Sequence, residues 1–237
     1  CSTAPPLHMP QQAFFVLFIA FTLVALGAAT VQSGRILRRF TPPINVLLSL
    51  PDNLLRVFLI ALCLWAGARL GPGSAALGWS LDHFLRDASL GALVGLLLAP
   101  LLQWTSAAAV RRWGNDIYDN LVLRAIVSVN RAEWVGVALA LLPAAWLEEL
   151  IFRSLPLAGL TWLISPWVLM WPLALVFGLL HWTQGPLGLV GTTFLGLILS
   201  ALFLWTGSIW TVVFAQWVLN LVEVTVAWQQ GLRPLRL

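Results

Sequence analysis

The sequence predicts an all-α fold, a polytopic bundle of about seven transmembrane helices. Three observations lead there. Of the 237 residues, 60% are hydrophobic and only 9% charged, with a mean hydropathy of +0.90; a soluble domain of this size has no use for so much apolar surface. Several apolar runs reach the roughly 20 residues that a helix needs to span a bilayer. Those runs are continuous, whereas the strands of a membrane barrel alternate with period two.

Taken in order, the first span is expected at 13–31, AFFVLFIAFTLVALGAATV. Arg35, Arg38 and Arg39 follow, then Pro42-Pro43 and a short apolar piece expected to lie at the interface. The second span is expected at about 53–70 and the third at about 88–105, with the loop GPGSAALG between them. Residues 106–131 are the most polar stretch, carrying Arg111, Arg112, Asp116, Asp119, Arg124 and Arg131. A fourth helix begins near Glu133 and continues toward Leu160; the remaining spans are expected at 163–183, 186–205 and 208–229. No linker-like change of composition divides the chain, so 1–237 is read as a single membrane domain.

All thirteen basic residues are arginine, and the net charge is +4. In so apolar a chain that sign bears on loop orientation and lipid headgroups, and no nucleic-acid partner is expected. Alternating loops put Arg35, Arg38, Arg39, Arg111, Arg112, Arg124, Arg131, Arg233 and Arg236 on one side and only Arg69 and Arg86 on the other. The N-terminus is therefore expected outside and the C-terminus in the cytoplasm. Trp104, Trp113, Trp134, Trp182, Trp210 and Trp228 fall near span ends, where indoles anchor at the headgroups. Cys63 reads as a small buried hydrophobe. Cys1 stands where an initiator Met is expected, which reads as a start partway along a longer chain, with an acylated lipoprotein terminus as the alternative. Neither cysteine suggests a disulfide framework.

Two stripes of small residues, Gly91-Gly95-Ala99 and Gly188-Thr192-Gly196-Ser200, are expected to be faces where helix backbones approach closely. The charged residues inside the fourth span carry more information, because ionisable groups at bilayer depth are expensive and rarely idle. Glu149 and Arg153 are spaced i, i+4 with the acid first, the favourable order for an ion pair. Glu148 points about 100° away on an ideal helix. Without a partner on its own helix, it is available as a general base wherever water reaches it.

His181 is the one histidine in an apolar span, with Phe177 four residues earlier on the same face; His8 and His83 lie in polar surroundings. Gln216, Asn220 and Glu223 share a face of the last helix, and amides placed there can donate to a developing oxyanion. No zinc site is expected, since one histidine would need help from carboxylates alone, and no cofactor is implied. The bland alternative is that these groups satisfy one another as interhelical polar contacts.

Glu148-Glu149-Leu150-Ile151-Phe152-Arg153 reads EExxxR, Phe177-Gly178-Leu179-Leu180-His181 reads FxxxH, and the run TTFLGLILSALFLWTGSIW follows. With these features residues 132–229 resemble the CPBP family, the CAAX-protease and bacteriocin-processing (Abi) membrane proteins that include the type II CAAX prenyl endopeptidases. The resemblance implies a four-helix catalytic-type core in the C-terminal half, preceded by N-terminal helices and a polar loop over 1–131. It departs from the family at the third motif, HxxxN, where Gln216-Trp217-Val218-Leu219-Asn220 has glutamine in place of histidine. Glutamine still donates a hydrogen bond, but it cannot carry a proton or act as an imidazole ligand.

What the resemblance implies is an intramembrane endopeptidase in which Glu148, with His181, activates water. Asn220 and Gln216 would then stabilise the oxyanion while the Glu149–Arg153 pair orients the acidic turn. The expected setting is a multi-pass protein of a prokaryotic-type cell membrane or internal membrane, with membrane lipids and a membrane-associated protein or peptide substrate as partners. The alternative is a catalytically inactive relative serving as scaffold, assembly factor or subunit of a membrane complex, for which Gln216 is the main support. A small transporter is a third reading, weakened by how few polar residues the first three spans offer.

Overall fold

A computed structural model describes residues 9–236; the expectations for Cys1 and His8 fall outside the described residues. Each predicted span holds one helix: α1 (Met9–Arg39), α2 (Leu50–Arg69), α3 (Phe84–Trp113), α5 (Arg131–Glu149), α6 (Pro166–Leu180), α7 (Gly185–Thr206) and α8 (Ile209–Gln229). An eighth, α4 (Leu121–Ile126), forms within the polar stretch that the sequence reading assigns to a loop. Among the described residues there is no strand. Six helices are long and apolar enough to cross a membrane. At 15 residues, α6 rises only about 22 Å, short of the roughly 30 Å hydrocarbon core.

Local chemistry sets the boundaries. The first helix runs beyond its expected end because nothing in VQSGRILRR breaks it before Pro42-Pro43. The third continues to Gly114, whose φ of 91° is a left-handed value that suits glycine. Asn130 caps α5 by accepting from the Glu133 amide at 2.9 Å, and the Glu133 carboxylate returns to the Val129 amide at 2.8 Å, much as in a capping box. Pro166 opens α6 at a position that suits its fixed φ. That helix closes at Leu180, so His181 is its C-cap residue and not an interior one.

The fourth span differs most from expectation. From Leu150 to Ala158 it is π-helical. Pro156 sits inside this segment; without an N–H, and with its ring against the carbonyl one turn back, it prevents a regular α ladder. The ideal 100° bearings therefore stop at Glu149, directly before the segment that carries Arg153.

Glycine lets the helices close up. A Cβ at Gly91 would run into the Thr211 carbonyl, and one at Gly95 into that of Ala215, so α3 lies with its backbone against α8. On the other side, α6 meets α7 where Gly178 faces Thr193 and Gly196 faces Ala174. Gly188, from the same predicted stripe, is covered instead by Gln184 of its own turn. The main core joins Phe15 of α1, Leu77 of the α2–α3 loop, Phe152 and Leu155 of the π segment, Leu199 of α7 and Ile209 of α8. The apolar piece after Pro42-Pro43 packs into the bundle, with Leu47 against Val137, Leu141 and Val224.

Arginines stitch one end of the bundle. Arg38 of α1 reaches Asp119 at 3.4 Å, Arg124 donates to the Arg233 carbonyl at 3.1 Å, and Arg236 pairs with Glu133 while also donating to the Val127 carbonyl. These contacts draw together Arg38, Arg124 and Arg236, three of the nine arginines that loop alternation assigns to a common side.

Candidate active site

Glu148 and Glu149 occupy the last turn of α5 and diverge. Glu149 turns inward, 0% exposed, and its Oε1 accepts from Arg153 Nη1 at 2.7 Å; Arg153 is 1% exposed. Arg153 Nη2 also reaches the Gly196 carbonyl of α7 at 3.4 Å, and its guanidinium lies 4.6 Å from the centre of the Phe177 ring. The pair thus ties the π segment to α6 and α7. Glu149 Oε2 and Arg153 Nε are buried without a hydrogen-bond partner among the described residues.

Glu148 is half-buried and turns the other way. Its Oε2 accepts from Gln216 Nε2 of α8 at 2.5 Å. Gln216 is 2% exposed, and its Oε1 has no partner among the described residues. Glu148 also lines a cavity of about 370 Å³ together with His181, Phe152 and Phe177. One wall of that cavity is α1, through Leu26, Ala29, Thr30, Ser33, Gly34 and Leu37, which recur at the spacing of one helix face.

His181 sits just past the end of α6, and its Nδ1 lies 2.7 Å from the Phe177 carbonyl. A carbonyl oxygen only accepts, so Nδ1 carries the proton and a neutral ring keeps Nε2 as its basic nitrogen. The rings of Phe177 and His181 are 4.7 Å apart between centroids. Phe177 therefore touches both Arg153 and His181 and couples the two motifs.

Not every expected residue joins this group. Asn220, one turn beyond Gln216, is half-buried, makes no side-chain hydrogen bond among the described residues and does not line the cavity. Glu223 is exposed, farther along α8. Among the described residues, no three of His, Cys, Asp and Glu converge as metal ligands would.

Two contributors were missed from the sequence. The lining face of α1 is one; its signal was small and hydroxyl residues recurring at i, i+3, i+4 and i+7 from Leu26. Arg56 of α2 is the other, an arginine six residues after Leu50 in an apolar run. It donates to Asn53 Oδ1 at 2.7 Å, is half-buried, and lies near enough to Glu148 and Asp52 to feel their charges. No carboxylate lies within ion-pair distance of it among the described residues.

Residues 130–222, which run from the cap of α5 into α8, match a family model described as Rce1-like, "Type II CAAX prenyl endopeptidase Rce1-like". That segment holds Glu148, Glu149, Arg153, His181, Gln216 and Asn220, and it coincides with the stretch whose motifs resemble the CPBP proteins. No curated protein and no solved structure matches the chain.

Proposed function

We propose that the protein is an intramembrane endopeptidase that hydrolyses a membrane-associated protein or peptide, with Glu148 as the base that activates water. The observation that carries this reading is that Glu148 and His181, from different helices, line one cavity while the Gln216 amide holds Glu148 from a third. A water between them gives up a proton to the Glu148 carboxylate as its oxygen attacks the scissile carbonyl. Nε2 of His181, left basic by the Nδ1–H bond to Phe177, holds that water in line. The Glu148 proton then passes to the departing amine nitrogen, which completes the cleavage.

Charge developing on the carbonyl oxygen needs donors aimed at it. Gln216 Nε2 is the first candidate, exchanging part of its bond to Glu148 for one to the oxyanion; the Asn220 amide, on the same face of α8 but outside the cavity lining, would have to swing toward the cavity to join it. The Glu149–Arg153 pair does no chemistry in this scheme; it braces the turn that aims Glu148.

A second reading, a catalytically inactive scaffold or subunit of a membrane complex, is favoured by one observation: Gln216 stands where the related proteins usually have histidine and carries no proton. The two readings separate in cells expressing the wild-type chain or Glu148→Gln at matched levels, by comparing the N-termini of membrane proteins. New termini present with the wild type and absent with the variant are expected of a peptidase. Identical termini, with the variant still functional, favour the scaffold.

A further inference from the structure

The last turns of α1 carry a feature that the chemistry in the cavity does not use. Gln32, Arg35, Ile36, Arg39 and Phe40 line an open, shallow crevice of about 330 Å³. The first four are spaced i, i+3, i+4 and i+7, so they form one helix face. The neighbouring face is the one packed on the protein: Gly34 is buried against Trp182 and Thr183, and Arg38 is committed to Asp119 at 3.4 Å and to the Trp182 ring at 5.3 Å. Arg35 and Arg39 turn away from the bundle. Neither has an ion pair among the described residues, and both are exposed.

Two unpaired guanidinia, one turn apart, sit where the apolar run of α1 has just ended at Val31. Beside them are exposed apolar groups, with Ile36 at 47%, Phe40 at 68% and Ile44 at 53% exposure. Cations that present a fork to a phosphate, next to apolar side chains at the depth of the headgroups, match a molecule that is anionic at one end and apolar at the other.

We propose that this crevice binds the headgroup of an anionic glycerophospholipid. The phosphodiester is held between Arg35 and Arg39, the Gln32 amide donates to the glycerol ester oxygens, and the acyl chains lie against Ile36 and Phe40. A zwitterionic lipid fits less well, because its ammonium group would meet two cations, neither of which has a carboxylate within ion-pair distance among the described residues. The site is independent of the peptidase reading, since it uses none of the cavity's polar groups.

The test is native mass spectrometry of the purified full chain, released from micelles doped with phosphatidylglycerol and phosphatidylcholine. The wild type is expected to retain phosphatidylglycerol in preference to phosphatidylcholine. Arg35→Gln/Arg39→Gln should lose about thirty-fold of that preference, each arginine near the surface contributing a factor of about five. The control Arg111→Gln/Arg112→Gln makes the same charge change on α3 and should leave the preference intact. If the first double variant does not accumulate folded, the single variants Arg35→Gln and Arg39→Gln should each lose part of it. Equal loss in both double variants, no loss in the α1 variants, or displacement of the lipid by millimolar inorganic phosphate would overturn the assignment.

Discussion

Gln216 donates its side-chain amide to Glu148 at 2.5 Å, joining α8 to the last turn of α5 in the stretch that matches the endopeptidase family. This bond fixes the rotamer of the carboxylate that lines the cavity and makes Gln216 its immediate neighbour. Beside the HxxxN motif of the proteins that the sequence resembles, the position keeps a donor and lacks a proton carrier.

Removing that donor should slow the reaction without abolishing it. Gln216→Ala is expected to lower kcat by about 10²-fold, at the lower end of the range for an oxyanion donor, with KM little changed. Gln216→His should recover at least the activity of the wild type. A Gln216→Ala enzyme with unaltered kcat would remove Gln216 from the proposed mechanism.

His181 should matter through Nε2. His181→Ala is expected to lose about 10²- to 10³-fold in kcat while its thermal unfolding stays near that of the wild type, since the residue is a half-buried helix cap. Unchanged turnover would leave Glu148 acting alone.

The Glu149–Arg153 pair should govern stability. With both side chains at or below 1% exposure, Arg153→Ala strands a buried carboxylate and is expected to cost about 3–5 kcal/mol. The double change Glu149→Leu/Arg153→Met should recover much of that loss. Equilibrium unfolding in mixed micelles reads both; a stable Arg153→Ala variant would mean the pair is solvated.

Gly95→Ala is expected to destabilise by about 1–3 kcal/mol, because its new Cβ runs into the Ala215 carbonyl of α8. Gly191→Ala meets nothing within 4 Å and should be neutral or slightly stabilising. Equal melting of the two variants would argue against the close approach of α3 and α8.

Tyr118, in the loop outside the spans and 38% exposed overall, has its hydroxyl pushed up to about 12, by partial burial first and then by the charges of Glu223 and Asp119. The folded state therefore holds this proton through a pH range where the unfolded chain releases it. The associated stability is complete below about pH 10 and is lost as pH rises toward 12. Tyr118→Phe should flatten that part of the stability–pH curve; an unchanged slope would assign the loss to other groups.

Much of this architecture was legible in advance. Seven long helices could be placed because continuous apolar runs leave little choice of structure in a bilayer, although only six are long enough to cross one, and Gly91 and Gly95 pointed to a close helix crossing because only small side chains permit one. The Glu149–Arg153 contact followed from spacing alone. The π segment was not legible: Pro156 signals a disturbed ladder but does not say whether the chain kinks, stops or widens. His181 was placed inside a span because Trp182 and Thr183 continue the apolar run, yet the helix closes at Leu180. The lining face of α1 was hidden because a stripe of alanine, threonine, serine and glycine reads equally well as a packing face. Arg56 was not legible, since its relation to Glu148 depends on how α2 leans on α5.

The most direct test of the central claim is the single-turnover rate of the purified, lipid-reconstituted protein on the substrate named by the new N-termini, wild type against Glu148→Gln. If Glu148 activates the water, the variant should be slower by at least about 10³-fold with the same melting temperature and the same substrate affinity. A variant that cleaves within about threefold of the wild-type rate, a difference under 1 kcal/mol in barrier, would contradict the account.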